Sequence, residues 1–144
     1  MPKKDINLSL VTPLSENSSF IKVGVNYNNP IVSGKSVLVQ KVIKSLLTYK
    51  GSNLFNKNLG SYFSTYINKK HSTDDILEFV PIILKDIEED IIITQMQDKP
   101  LSLSEKLLSL DLDTLNINKE TGEVNIFFSV VTADNLKTTF TINR

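Results

Sequence analysis

Hydrophobic positions along this chain change their period twice. In the stretch SFIKVGVNY, Ile21, Val23, Val25 and Tyr27 alternate with Lys22, Gly24 and Asn26, which places the apolar set on one side of a strand. The surrounding residues are rich in Ser, Asn and Pro and carry no helical stripe, so residues 1–32 read as an extended arm with one strand, Phe20 to Tyr27, inside it. From Ser33 the period lengthens. Val39, Val42, Ile43, Leu46 and Leu47 recur at helical spacing with Lys41 and Lys44 off the stripe, and Ser33 is the expected N-cap. The helix is expected to close at Gly51, with Lys50 complementing its dipole. NLFNKNLGSYF then reads as an irregular loop pinned to the core by Phe55 and Leu59, followed by a short helical piece around Tyr62 to Ile67.

Ser72 and Asp75 form a capping-box pattern ahead of a long apolar stripe, Ile76, Phe79, Val80, Ile83, Ile87, Ile91 and Ile92. This predicts a helix to about Gln95, kinked at Pro81, where an N–H is missing. A second capping box, Ser102 to Glu105, predicts a brief helix over LSLSEKLLSL. The period then shortens for good. Leu115 and Ile117 alternate with polar neighbours, KETGEV turns at Gly122, EVNIFFSVV is apolar on both faces as a central strand would be, and LKTTFTI alternates as a half-buried strand does. Helices first and an antiparallel meander last define an α+β fold: an N-terminal arm, helices, then a small sheet packed on the long helix, with residues 33–144 forming one domain.

Composition removes several kinds of chemistry. Sixteen basic residues balance sixteen acidic ones, so no net field draws the chain to nucleic acid or to an anionic membrane. With no Cys and one His, neither a disulfide framework nor a thiolate or His-rich metal site is expected. The start lacks the apolar core of a signal peptide and no apolar run is long enough to span a bilayer, so a soluble intracellular protein is expected.

Gly34-Lys35-Ser36 has the ending of a phosphate-binding loop, but Asn29 stands where that loop needs its first Gly, and the expected sheet is not parallel; a helix start is the better reading. Glu88, Glu89 and Asp90 are consecutive on a helix, so they point in different directions and read as a solvated face rather than the paired carboxylates of a glycosidase. Asp111 and Asp113 flank an expected loop without a third acidic ligand, His71 is an exposed residue at a helix entrance, and no Ser or Thr has a visible His and acid to activate it. No catalytic group, metal site or cofactor is expected. Surface for other proteins remains: a three-stranded meander leaves an edge open to another chain's strand unless the strand from Phe20 to Tyr27 covers it.

Val42 to Phe63 resembles the tail-sheath-initiator, or baseplate wedge, family of contractile phage tails, with relatives in contractile injection machines and type VI secretion. Thr48, Lys50, Gly51, Ser52, Phe55 and Gly60 stand in the family's places: an apolar helix, a Thr-x-x-Gly turn, an aromatic residue and a second Gly opening the next helix. The likeness extends more loosely over residues 33–142. Where the family carries Glu-Pro-Arg near the end of the long helix, tied to docking on the wedge core, this chain has Glu88-Glu89-Asp90, so Glu88 and Asp90 are the candidate wedge contacts, with the charge at Asp90 reversed.

The resemblance implies a structural, non-enzymatic virion protein, assembled in the host cytoplasm into the tail baseplate. Its partners would be the tail sheath subunit, baseplate wedge proteins and tail tube or hub neighbours. Incoming sheath arms would add strands to its sheet, and the candidate templates are Val124, Ile126, Phe128 and Val130 on one strand and Leu136, Thr138, Thr139, Phe140 and Ile142 on the next. Two rivals stand beside it: a phage adaptor without sheath contact, such as a head-completion or tail-tip protein, and an enzyme of cell-wall or nucleotide chemistry.

Overall fold

A 25-residue helix, α3 (Thr73–Gln97), forms one layer of the protein, and a three-stranded antiparallel sheet, β5 (Leu107–Ile117), β6 (Val124–Thr132) and β7 (Lys137–Asn143), forms the other. The computed structural model describes residues 4–6, 8–10, 23–25, 31–67, 72–97 and 100–143. Ahead of α3 come four short strands, β1 (Lys4–Ile6), β2 (Leu8–Leu10), β3 (Val23–Val25) and β4 (Ile31–Ser33), then α1 (Lys35–Leu47) and α2 (Phe63–Ile67). The fold is α+β, with helices preceding a C-terminal antiparallel sheet that packs on the long helix.

α3 starts where its capping box predicts. The Ser72 N–H donates to the Asp75 carboxylate at 3.1 Å, and the Asp75 N–H donates to the Ser72 hydroxyl at 3.2 Å. The helix continues through Pro81, whose ring is exposed, and ends two residues beyond the expected Gln95. Its buried face is Ile76, Val80, Leu84, Ile87, Glu88 and Ile91. Leu84 replaces the expected Phe79, which is half exposed and lies against the Tyr66 ring at 5.1 Å. Facing α3, the sheet presents Leu110, Ile126, Phe128, Val130 and Ile142, with Phe128 between Phe63 at 5.7 Å and Phe140 at 5.0 Å. Leu38, Val42 and Leu46 of α1 complete the core. Each of these fully buried aliphatic or aromatic side chains contributes about 1.5–3 kcal/mol through loss of apolar surface.

Three expectations need correction. Ser33 is the last residue of β4 and not a cap: Gly34 occupies the N-cap of α1 with φ 62° and makes no side-chain capping bond. α1 ends at Leu47 with Thr48 extended, so Gly51, φ 84°, does not close the helix but sits third in a separate turn that the Ser52 N–H closes on the Tyr49 carbonyl. The second capping box forms, yet it starts only a single 3-10 turn, Leu103–Glu105, before β5 begins at Leu107. LLSLD is therefore strand, and Asp111 and Asp113 lie in β5 rather than beside a loop.

The N-terminal strands pair among themselves, β1 with β4 and β2 with β3, both antiparallel. The expected strand from Phe20 to Tyr27 is described only at Val23–Val25; its flanks, Ile21 and Tyr27 included, lie outside the described residues, as does His71. Among the described residues, no N-terminal strand joins the C-terminal sheet.

Gly60 holds the middle of the chain together. The Ser61 N–H donates to the Thr48 carbonyl at 2.9 Å and the Lys50 N–H to the Ser61 carbonyl at 3.1 Å, a short parallel bridge that brings the ends of the intervening loop together. Gly60 lies against this bridge with φ 107°, and a Cβ there would stand 2.5 Å from the Thr48 carbonyl oxygen. Gly51 has positive φ but open space around it. Gly60→Ala is expected to lose about 3 kcal/mol or more, from strain and overlap together, while Gly51→Ala loses about 1–2 kcal/mol from the left-handed backbone alone. Urea unfolding of the two variants beside the parent chain checks this order.

Candidate functional site

The sheet has one strand committed on both sides and two strands at its edges. β6 pairs with β5 along one side and β7 along the other, so the main chain at Ile126, Phe128 and Val130 is used up and these residues are no template for an added strand, while Val124 lies one residue beyond the described pairing with β7. β7 is an edge. Its hairpin with β6 is closed by the Thr132 N–H donating to the Leu136 carbonyl at 3.1 Å, with Asn135 at φ 62° in the three-residue loop. Hydrogen-bonded and non-hydrogen-bonded pairs alternate in an antiparallel ladder, so the register Val130↔Thr138, Phe128↔Phe140, Ile126↔Ile142 carries the bonds to β6. Lys137, Thr139 and Thr141 turn their main-chain N–H and C=O groups outward, away from β6. Of the residues named from sequence on this strand, Thr139 therefore faces the open side, Thr138, Phe140 and Ile142 face β6, and Leu136 belongs to the hairpin closure.

The opposite edge, β5, is partly closed by side chains from α3. The Leu110 N–H, which points away from β6, donates to the Glu88 carboxylate at 2.9 Å. The Leu107 N–H donates to the side-chain oxygen of Gln95 at 3.0 Å, and the Gln95 amide donates to the Glu105 carbonyl at 2.8 Å. Glu88 and Gln95 are seven residues apart, two turns on one helix face, so they stand at the spacing needed to meet successive outward groups of an adjacent strand. Two register shifts, between Leu107 and Ser109 and between Leu112 and Thr114, further interrupt this edge. β7 presents the longer regular one.

Glu88 is thus not part of a solvated face. It is buried, and its second oxygen accepts a hydrogen bond from Lys85 at 2.8 Å. That bond, and then the carboxylate charge, hold the Lys85 ammonium above the ordinary lysine range. A residue so engaged cannot also serve as an outward contact; of the two candidate wedge contacts only Asp90 is exposed. The signal for Glu88 and Gln95 was present as two polar residues within the buried stripe of α3. Beside Glu89 and Asp90, Glu88 reads in the sequence as one member of an acidic run.

The loop of residues 52–59 departs most from expectation. Phe55 does not pin it to the core; Phe55 is 101 % exposed and Leu54 88 %. Side-chain oxygens hold this tip in place. Asn53 accepts from the N–H groups of Phe55 at 2.9 Å and Asn56 at 3.0 Å, Asn56 accepts from the Asn58 N–H at 3.1 Å, and the Ser52 hydroxyl donates to the Tyr49 carbonyl at 2.7 Å. Thr48 and Gly60 form the base, with Lys50 donating across it. At the foot of the loop, a cleft of about 320 Å³ opens between α1 and α3, lined by Leu59, Ile87, Ile91 and Ile93 among others, with Asp90 beside them.

Gly34-Lys35-Ser36 follows a strand paired antiparallel with β1, not a parallel sheet. Asp111 accepts from the Ser109 hydroxyl at 2.9 Å and Asp113 pairs with Lys137 at 3.3 Å. Among the described residues, no three His, Cys, Asp or Glu side chains converge in a way that could hold a metal ion, and no helix is long and apolar enough to cross a membrane. Neither a protein-family model nor a curated protein matches the chain.

Glu88→Ala leaves the Leu110 N–H buried without an acceptor and is expected to cost about 2–3 kcal/mol, whereas Glu88→Gln keeps an acceptor oxygen and costs about 1 kcal/mol. Chemical denaturation separates the two, and amide exchange at Leu110 is expected to accelerate most in the alanine variant.

Proposed function

We propose that this chain is a structural protein of a contractile phage tail, placed between the baseplate wedge and the first sheath ring, and that β7 is the edge onto which a sheath segment adds as a strand. The observation that carries the reading is the regular outward row of main-chain groups at Lys137, Thr139 and Thr141, on the side of the sheet opposite a β5 edge partly closed by α3. The likeness of Val42 to Phe63 to the sheath-initiator pattern supplies the setting. Main-chain hydrogen bonds would give affinity there, and the alternating side chains of β7 would give register.

A second contact, to the wedge, falls on the outward face of α3. Phe79, Ile82, Asp86, Glu89, Ile93 and Met96 are exposed at alternating spacings of three and four, apolar at both ends and acidic in the middle. This face suits a partner helix with a basic centre. In this reading the protein does no chemistry and holds no cofactor; its working parts are a strand edge and a helix face.

Two proline substitutions test the edge. Thr139→Pro removes an outward N–H and is expected to leave folding nearly intact while blocking recovery of the sheath subunit with tagged protein from an assembling particle. Thr138→Pro removes a donor from the ladder to β6 and is expected to lower stability by about 3 kcal/mol. Unchanged sheath recovery with Thr139→Pro removes β7 as the template. Recovery of head or tail-tip proteins in place of sheath and wedge proteins favours the adaptor without sheath contact.

A further inference from the structure

Opposite the buried stripe of Val80, Leu84, Ile87 and Ile91, the outward face of α3 reads the same from either end. Phe79, Ile82, Asp86, Glu89, Ile93 and Met96 occupy the alternating three- and four-residue spacings of a helix-pairing seam, in the order large apolar, Ile, acid, acid, Ile, large apolar. Ile82 and Ile93 are each 54 % exposed, Phe79 and Met96 are exposed beyond them, and both central carboxylates stand in water. Lys85 is the one basic residue of α3, and it is engaged by Glu88 at 2.8 Å.

A seam of this order matches itself everywhere except at its centre. Two copies laid antiparallel would set Phe79 against Met96 and Ile82 against Ile93 on both flanks, while Asp86 met Glu89 twice in the middle. Laid parallel, they would set Asp86 against Asp86 and Glu89 against Glu89. Either direction gathers four carboxylates between two apolar layers, where each loses hydration and gains only like charge. A helix with the same apolar ends and a basic centre meets the reverse: its cations fall against Asp86 and Glu89, and the apolar flanks exclude water from the pairs.

We propose that Asp86 and Glu89 set the specificity of this face, turning away a second copy of the chain and selecting a partner helix whose seam is apolar, basic and apolar in turn. The selection presupposes that the face docks a helix, as the wedge contact does, but it needs neither the strand edge nor a phage protein.

The chain supplies its own probe. Asp86→Lys combined with Glu89→Lys keeps the apolar ends and reverses the charge of the centre, at two exposed positions where folding, followed by circular dichroism, is expected to be unchanged. Fluorescently labelled parent chain is titrated with this variant and, separately, with unlabelled parent, and association is read by sedimentation velocity. The variant is expected to bind the parent at least about ten-fold more tightly than the parent binds itself. Raised salt is expected to reduce that gain, and Ile82→Ser added to the variant to cancel it. Asp86→Leu with Glu89→Leu, which removes the repulsion without supplying a cation, is expected to bind itself at least about ten-fold more tightly than the parent does. A charge-reversed variant that binds no more tightly than the parent overturns the selection, as does a gain indifferent to Ile82→Ser. Unchanged self-association of the leucine variant overturns the exclusion. Each of these failures leaves sheath recovery through β7 as it was, whereas loss of sheath and wedge recovery with the ten-fold gain intact refutes the phage setting alone.

Discussion

Most of this structure depends on how an isolated three-stranded sheet satisfies one of its edges. Three strands with one apolar face need a cover, and α3 provides it with Ile76, Val80, Leu84, Ile87 and Ile91. The cover extends around the side of the sheet, where Glu88 and Gln95 occupy positions that a fourth strand would otherwise fill. A carboxylate buried for this purpose keeps its charge compensated, because it accepts from a backbone N–H on one oxygen and from Lys85 on the other. The helix is thereby fixed along the strand direction as well as against the sheet face. Apolar contacts alone would let it slide.

The same economy shapes the middle of the chain. The bridge between Thr48 and Ser61 closes a loop whose contents make few core contacts, and Ser61 adds a bond from its hydroxyl to the Leu46 carbonyl at 2.9 Å, tying the loop base to the end of α1. Because Gly60 permits that close approach, Phe63, the first residue of α2, arrives in the core beside Phe128. The loop is free to vary in what it displays, since its geometry is set at the base and by its asparagines.

Features governed by near neighbours were legible in the sequence: the capping box of Ser72 and Asp75, the turn after Asn118 and the strand alternation of LKTTFTI. What was not legible depended on partners distant in the chain. LSEKLLSL fits a helical period and has a genuine capping box, but Leu107 and Leu110 gain more as the start of β5, where β6 and α3 both engage them. Phe55 reads as a core residue because aromatic side chains are usually buried, and its outward position follows from Asn53 and Asn56, whose hydrogen bonds a hydrophobic pattern does not register. Within the candidate site, the choice between β6 and β7 required the strand order, which a meander pattern leaves open.

The two bulges of β5 have a consequence for solubility. A sheet with two flat edges is bivalent, and each chain that adds leaves a fresh edge for the next, which is the geometry of fibre growth. Here α3 and the register shifts at Leu107 and Leu112 break up one edge, so among the described residues β7 alone gives this sheet a continuous outward row of donors and acceptors. Such a sheet is monovalent. It can be extended once and then stops, so the availability of one edge for pairing does not bring with it the propensity to polymerise.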